Sequence, residues 1–390
     1  MNLLLVSETY PPEINGVART LHQIMRGLTE LGHRVWLVKP AQRGRAPAGT
    51  DGAVETHEVR GLPLPGYPGL QFGLPAGRLI RGLLDSRQIE AAYIATEGPL
   101  GQSALRACRR HRVPALSGMH TNFHQYSAHY GAGLLAPLML GYLRRFHNGT
   151  AGTLVPTATM RDELAAIEFR NLRVWPRGVH TDLFTPARRD PALRAAWSLG
   201  EDQLAVLYVG RLAPEKNIDT AFLAFERIRA ARPDARFVLV GDGPAEQRLR
   251  AAHPGAIFAG PREGEELARH YASGDLFLFP SLTETFGNVT LEAMASGLAV
   301  VSYDLAAAHE LIEHGKSGLL AQAGAQEAFL HEAGRCAADL ELQRTLKVHA
   351  RATALQQDWP KLIVKLEQLF LEIGAGPVGD GFQGAAESTE

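Results

Sequence analysis

Residues 276–303, LFLFPSLTETFGNVTLEAMASGLAVVSY, constrain the fold more than any other stretch of the chain. Residues 276–280 are apolar without alternation, as a strand buried on both faces of a parallel sheet must be. A polar loop follows. Residues 288–296 then place Val289, Leu291, Ala293, Met294 and Ala295 on a helix small enough to pack closely on a sheet. Gly297 stops the helix, and residues 298–303 read as the next strand.

Two carboxylates mark this unit. Glu284 stands in the loop and Glu292 about one turn inside the helix. Between them lie the first N–H groups of the helix, near Phe286, Gly287, Asn288 and Val289, which with the helix dipole make an anion site. Four residues of helix advance ~6 Å. The segment therefore offers a carboxylate, an anion site and a second carboxylate in a row. A nucleotide sugar has the matching order of hexose hydroxyls, diphosphate and ribose hydroxyls, and carboxylates accept hydrogen bonds from hydroxyls. Isolated glutamates would be read as solvated loop and helix residues, but the flanking sequence is specific. ETFGNVTLEAMASGLAVV resembles the signature of family 4 of the glycosyltransferases, departing only at Ala299, where proline is usual. The resemblance implies that Glu284 holds the donor hexose and Glu292 the nucleotide ribose.

A chain of 390 residues exceeds one typical core. The change of domain is expected near RVWPRGVHTDLFTP, giving domains of 1–172 and 173–357. Residues 358–373 form an amphipathic helix which, by the resemblance, crosses back to the first domain, and 374–390 a disordered tail. The chain is 45% apolar and 21% charged, ordinary for a globular protein. No stretch of ~18 apolar residues offers a membrane span, and the start lacks the pattern of a signal peptide. Cys108 and Cys336 lie far apart without metal-ligand spacing, so both are expected reduced, in a cytoplasmic protein. Charge is uneven. Through Leu172 the balance of Lys/Arg over Asp/Glu is +6, and beyond it −7. A basic first half suits an anionic membrane surface, with Arg78, Arg81, Arg144 and Arg145 as candidates; chance asymmetry is the alternative.

Residues 2–7 read as a buried strand, followed by YPPEINGV and a helix opened by Gly16. The dinucleotide fingerprint Gly-x-Gly-x-x-Gly is missing there, which disfavours a dehydrogenase. Gly16 alone is more often a plain loop glycine, but the phrase resembles the family's loop over the donor diphosphate. Further strands are expected at 34–38, 91–95, 115–119, 153–155, 205–210, 237–241, 257–260 and 299–303, while 41–78 is too rich in Gly, Pro and Arg to order. Glu97, Asn122 and Tyr126 follow strands, where parallel sheets place binding loops, and are weak acceptor-binding candidates. HTNFHQY resembles the family's active-site segment, making His120 a donor-sugar contact, with His124 a weaker candidate. In GRLAPEKN, Arg211 and Lys216 flank a Pro turn and are expected to converge on a diphosphate. Gly241 opens a second Gly-rich loop, GDGP. At Gly178-Val179-His180 the family usually has aspartate last, which leaves the role of His180 open.

The resemblance covers the chain up to the tail. It implies an α/β, GT-B architecture of two Rossmann-like parallel-sheet domains facing a central cleft. The expected activity is a retaining, metal-independent glycosyl transfer without a cofactor. The motifs look closest to bacterial mannosyltransferases and glycolipid synthases. GDP-mannose is thus the first choice of donor and a UDP-hexose the second. The expected partners are a lipid or lipid-linked acceptor and an anionic membrane surface at the inner face of the cytoplasmic membrane, with no nucleic acid. A sugar-nucleotide epimerase, which needs no acceptor, and a non-catalytic nucleotide-sugar binder remain the alternatives.

Overall fold

Strands with both faces covered dominate each half of the chain. The computed structural model describes residues 1–11, 13, 16–41, 50–51, 54–63, 71–119, 136–284 and 286–375. Contacts divide the chain into one unit of Met1–Trp175 with Leu362–Glu390 and another of Pro176–Lys361.

The first unit contains β1 (Asn2–Val6), β2 (Arg34–Pro40), β3 (Thr50–Asp51), β4 (Val54–Val59), β5 (Gly61–Pro63), β6 (Gln71–Gly73), β7 (Ala91–Ile94), β8 (Ala115–Gly118), β9 (Gly152–Val155) and β10 (Leu172–Val174). Its main sheet runs β10-β9-β8-β7-β1-β2-β4-β3, parallel except for the β3–β4 pair, and β5 pairs with β6 separately. The second unit contains β11 (Ala205–Val209), β12 (Arg236–Val240), β13 (Ile257–Gly260), β14 (Leu276–Phe279), β15 (Ala299–Tyr303) and β16 (Leu319–Ala321), all parallel in the order β13-β12-β11-β14-β15-β16. Each sheet starts in its middle, winds outward on one side, and restarts on the other side of its first strand. The direction therefore reverses between β1 and β7 in one sheet and between β11 and β14 in the other. Open α/β sheets bind ligands outside the carboxyl ends of the strands at such a reversal.

The expected α/β class and parallel sheets are thus present. Expected strand limits differ by a residue or two from those observed. β10 and β16, of three residues each, were not anticipated, nor were β3–β6 in the unordered stretch. The break between units falls after Trp175 rather than at 172/173, because β10 pairs with β9. The last helix runs Trp359–Ala375, so residues 374 and 375 are helical, not tail; 376–390 lie outside the described residues. Within the first unit this helix buries Leu362, Leu366 and Phe370, and Glu367 meets His33 Nε2 at 2.8 Å.

The amino end of the second sheet is fastened by one carboxylate. Asp275 accepts from the Ala205 N–H at 3.0 Å and meets Arg194 at 3.0 Å and Arg189 and Lys347 at 3.2 Å. Arg194, nearly fully buried, also donates to the carbonyls of Ser273, Gly200 and Gln203. Burial pushes the Asp275 carboxyl up, but Lys347, Arg189, the Ala205 N–H and Arg194 together bring it below the usual carboxylate range. Strand, linker and the helix Leu340–Ala354 are thereby tied at one point.

Candidate active site

The carboxyl ends of β11 and β14 carry the expected site residues of the second unit. After β11, Pro214–Lys216 form a single tight turn closed by Asn217 in the left-handed region, which asparagine tolerates. Asn217 donates to the Pro280 carbonyl at 3.2 Å and hydrogen-bonds Tyr303, holding the turn against β14 and β15. Lys216 Nζ then reaches Glu284 Oε1 at 2.5 Å and the Thr283 carbonyl at 3.3 Å. Both side chains are at least four-fifths buried, so the pair is poorly screened. It spans the reversal point of the sheet. Arg211 stands on the same turn, away from the Lys216–Glu284 pair's partners. It is 65% exposed and pairs with Glu215 at 3.6 Å.

Gly241 and Gly243 set the height of this loop. A Cβ on Gly241 would lie 2.1 Å from the Gly210 carbonyl oxygen, and one on Gly243 2.4 Å from that of Leu212; both have positive φ. The two loops are stitched by main-chain bonds from Leu212 N–H to Asp242 O at 2.7 Å and from Ala245 N–H to Leu212 O at 2.9 Å. Tyr208, buried in β11, donates to the Arg211 carbonyl at 3.2 Å.

The helix Asn288–Ala295 begins beside the ion pair. Its N-cap is Gly287, at φ 89°, which has no side chain to satisfy the opening N–H groups. Phe286 is buried, and its carbonyl accepts from the Ala307 N–H at 2.7 Å. Asn288 is exposed and Val289 half-buried. Glu292, a turn further on, is half-buried and accepts from the Tyr271 hydroxyl at 3.0 Å. Along this segment Glu284 precedes the helix opening and holds Lys216, and Glu292 stands inside the helix against Tyr271. Thr285 lies outside the described residues.

In the first unit Gly16 opens the helix Gly16–Glu30, and a Cβ there would meet nothing within 4 Å. Packing does not demand glycine at that position. Glu97 follows β7 half-buried, and its carbonyl accepts from the Tyr142 hydroxyl. His120, Asn122, His124 and Tyr126 fall in 120–135, outside the described residues. His180 is half-buried, 6.5 Å from the ring of Trp359. Among the described residues no group of three or more His, Cys, Asp or Glu could hold a metal ion. Both cysteines are buried thiols.

Sequence reading missed Glu8, at the carboxyl end of β1. It caps the helix Pro99–His111 from a distance, Oε1 accepting from the Leu100 N–H at 2.9 Å, and only glycine at 98 leaves room, since a Cβ would fall 1.9 Å from Oε2. Burial, opposed by the Leu100 N–H and aided by Glu97, pushes the Glu8 carboxyl up to about 7. Because that lies above the value of 4.5 for the free side chain, the contribution of Glu8 to stability is fully present below 4.5 and is lost as pH rises through 7. Glu8→Gln keeps an acceptor for Leu100 and removes the buried charge. It should raise unfolding free energy at pH 8 by on the order of 3 kcal/mol, fading toward pH 4.5, as read from urea titrations at both pH values.

The family model described as Glycosyltransferase Family 4 matches residues 14–183, and that described as Glycosyl transferases group 1 matches 203–339. The chain is 32% identical to a GDP-mannose-dependent alpha-mannosyltransferase of Mycolicibacterium smegmatis, over 92% of this chain and 94% of that one. It is 26% identical to an alpha-monoglucosyldiacylglycerol synthase of Acholeplasma laidlawii, over 82% of this chain and 84% of that one. Among solved structures, Anabaena HepE in complex with UDP superposes with a TM-score of 0.73 at 19% identity, covering 95% of this chain and all of the other. With two matched segments in order and a likeness that runs almost end to end, the chain belongs to glycosyltransferase family 4 and is a glycosyltransferase of the GT-B fold.

Proposed function

We propose that this enzyme moves a hexose from a nucleotide sugar to a hydroxyl of a lipid or lipid-linked glycan, forming an α bond with retention. Mannose from GDP-mannose is the first choice, glucose or a related sugar from a UDP-sugar the second. The Lys216–Glu284 pair at the reversal point of the second sheet carries this reading, standing beside a helix opening with Glu292 a turn deeper. Glu284 would accept from the hexose hydroxyls and Glu292 from the ribose. Lys216, Arg211 and the N–H groups near Gly287, Asn288 and Val289 would offset the charge of the diphosphate. The bond from the anomeric carbon to phosphate breaks, the acceptor oxygen bonds that carbon on the same face, and its proton leaves with the departing phosphate. Gly16, Gly241 and His120 are proposed on the donor side, and Glu97, Asn122 and Tyr126 on the acceptor side. The donor ranking draws on the Mycolicibacterium relative, and the lipid acceptor on the Acholeplasma one.

Fixed cations make the proposed chemistry independent of a divalent metal. Lipid extract incubated with GDP-mannose in EDTA should gain one hexose by mass spectrometry, and UDP-glucose should serve less well. No product from either donor would sink the reading; product only after magnesium or manganese is restored would sink metal independence.

Peripheral membrane attachment belongs to the same proposal. Among the described residues no helix is long and apolar enough to cross a membrane. Arg78, Arg81 and Arg145 are exposed, as are Leu138 and Met139, whereas Arg144 is half-buried and paired with Glu168. At about 1 kcal/mol for each basic side chain near an anionic surface, three would give reversible binding. The protein should co-sediment with phosphatidylglycerol liposomes at low salt and be released at high salt. Equal binding to zwitterionic liposomes would remove the electrostatic attachment.

A further inference from the structure

Tyr271 stands on the helix Gly264–Ser273, which leads into β14, and its side chain is fully buried. Its ring meets Phe184 edge-on at 5.7 Å between centroids and Phe277 at 6.0 Å. An apolar pocket of this kind is filled equally well by phenylalanine, so the hydroxyl needs its own explanation. That hydroxyl donates to Glu292 Oε2 at 3.0 Å and lies 3.4 Å from the Val289 carbonyl. Burial, reinforced by the Glu292 charge, raises the phenol well above its ordinary range, so it stays a donor at any working pH.

We propose that Tyr271 is a positioning residue that fixes the Glu292 carboxylate to receive the vicinal hydroxyls of a ribose, and so sets a preference for ribonucleoside over deoxyribonucleoside diphosphates. The inference rests on the proposed role of Glu292. A carboxylate offers about four acceptor directions. A vicinal diol uses two and the phenol one, so Tyr271 need not move when nucleotide binds. Without the phenol the glutamate would have more torsional freedom, and ordering it would be charged against binding. The loss falls only on ligands that use the carboxylate.

The test is calorimetric titration with GDP, 2′-deoxy-GDP, UDP and 2′-deoxy-UDP of wild type, Tyr271→Phe and Glu292→Ala. Wild type should prefer the ribonucleotide of at least one pair, and Glu292→Ala should lose most of that preference. Tyr271→Phe, melting near wild type, should bind that ribonucleotide about three- to tenfold more weakly while binding its deoxy analogue almost unchanged. Donor KM should rise by a similar factor, with kcat within about twofold. A Tyr271→Phe variant that keeps the full preference, or weakens both ligands equally, overturns the positioning role while Glu292 keeps its own. A Glu292→Ala variant that keeps the preference, or a wild type without one, overturns the role of Glu292 and this inference with it.

Discussion

Lys216→Met should lower kcat by about 10²- to 10³-fold, the range found when one charge-stabilising donor is taken from a polar active site. The lysine is four-fifths buried and ends 2.5 Å from Glu284, so its charge is poorly screened where the leaving group is proposed to sit. Arg211, the other basic residue of the turn, is largely exposed and engaged by Glu215. Lys216→Arg should recover part of the rate, since charge is kept while the compact ammonium is replaced by a wider group. The two glutamates should fail in different ways. Glu284→Ala should reduce kcat and leave nucleoside diphosphate affinity nearly intact, whereas Glu292→Ala should weaken the nucleotide by ~1.5–3 kcal/mol. Turnover within a few-fold of wild type for Lys216→Met would remove the leaving-group role from this turn.

Asp275→Ala should destabilise the second unit by about 3–5 kcal/mol, the cost of leaving buried charge uncompensated. Arg194 would keep its carbonyl partners but lose its counter-ion in a site only 3% exposed. Because the Asp275 carboxyl is held below its ordinary range, its contribution is present above the unfolded value near 4 and is lost as pH falls through the folded one. The second unit of wild type should unfold at lower urea as pH falls below about 4. In Asp275→Asn that acid dependence should flatten, with the Ala205 N–H still satisfied. A midpoint unchanged by Asp275→Ala would show the cluster to be energetically idle.

Sheet order decides which of these features can be read from the chain. The strand, loop and helix around Glu284 and Glu292 are legible because all parts lie within a few turns of one another. The Lys216–Glu284 pair is not, since it joins positions 68 apart in sequence that meet only because β14 lies beside β11. Glu8 is invisible for the same reason: it caps a helix 92 residues away, and nothing local separates it from a solvated glutamate. Tyr271 reads as one more apolar core residue, its hydroxyl explained only by Glu292 in space. Spacing shows that Arg211 and Lys216 flank a turn but not that Lys216 is buried against Glu284 while Arg211 stands exposed beside Glu215. β10 and β16 are too short for a periodic signal, and β3–β6 sit among glycines and prolines that hide it.

The interlock of the two glycine loops bears on where this part of the chain can vary over generations. With Gly241 and Gly243 pressed against the carbonyls of Gly210 and Leu212, any side chain there would drive its Cβ into a main-chain carbonyl. Changes at these positions would be removed by their cost to folding, whatever else they did. Variation is better tolerated at exposed positions such as Arg211 and Asn288, where a new side chain has room in solvent. A saturation library confined to those two codons should keep most members folded, while one centred on 241 and 243 should be nearly empty of soluble protein.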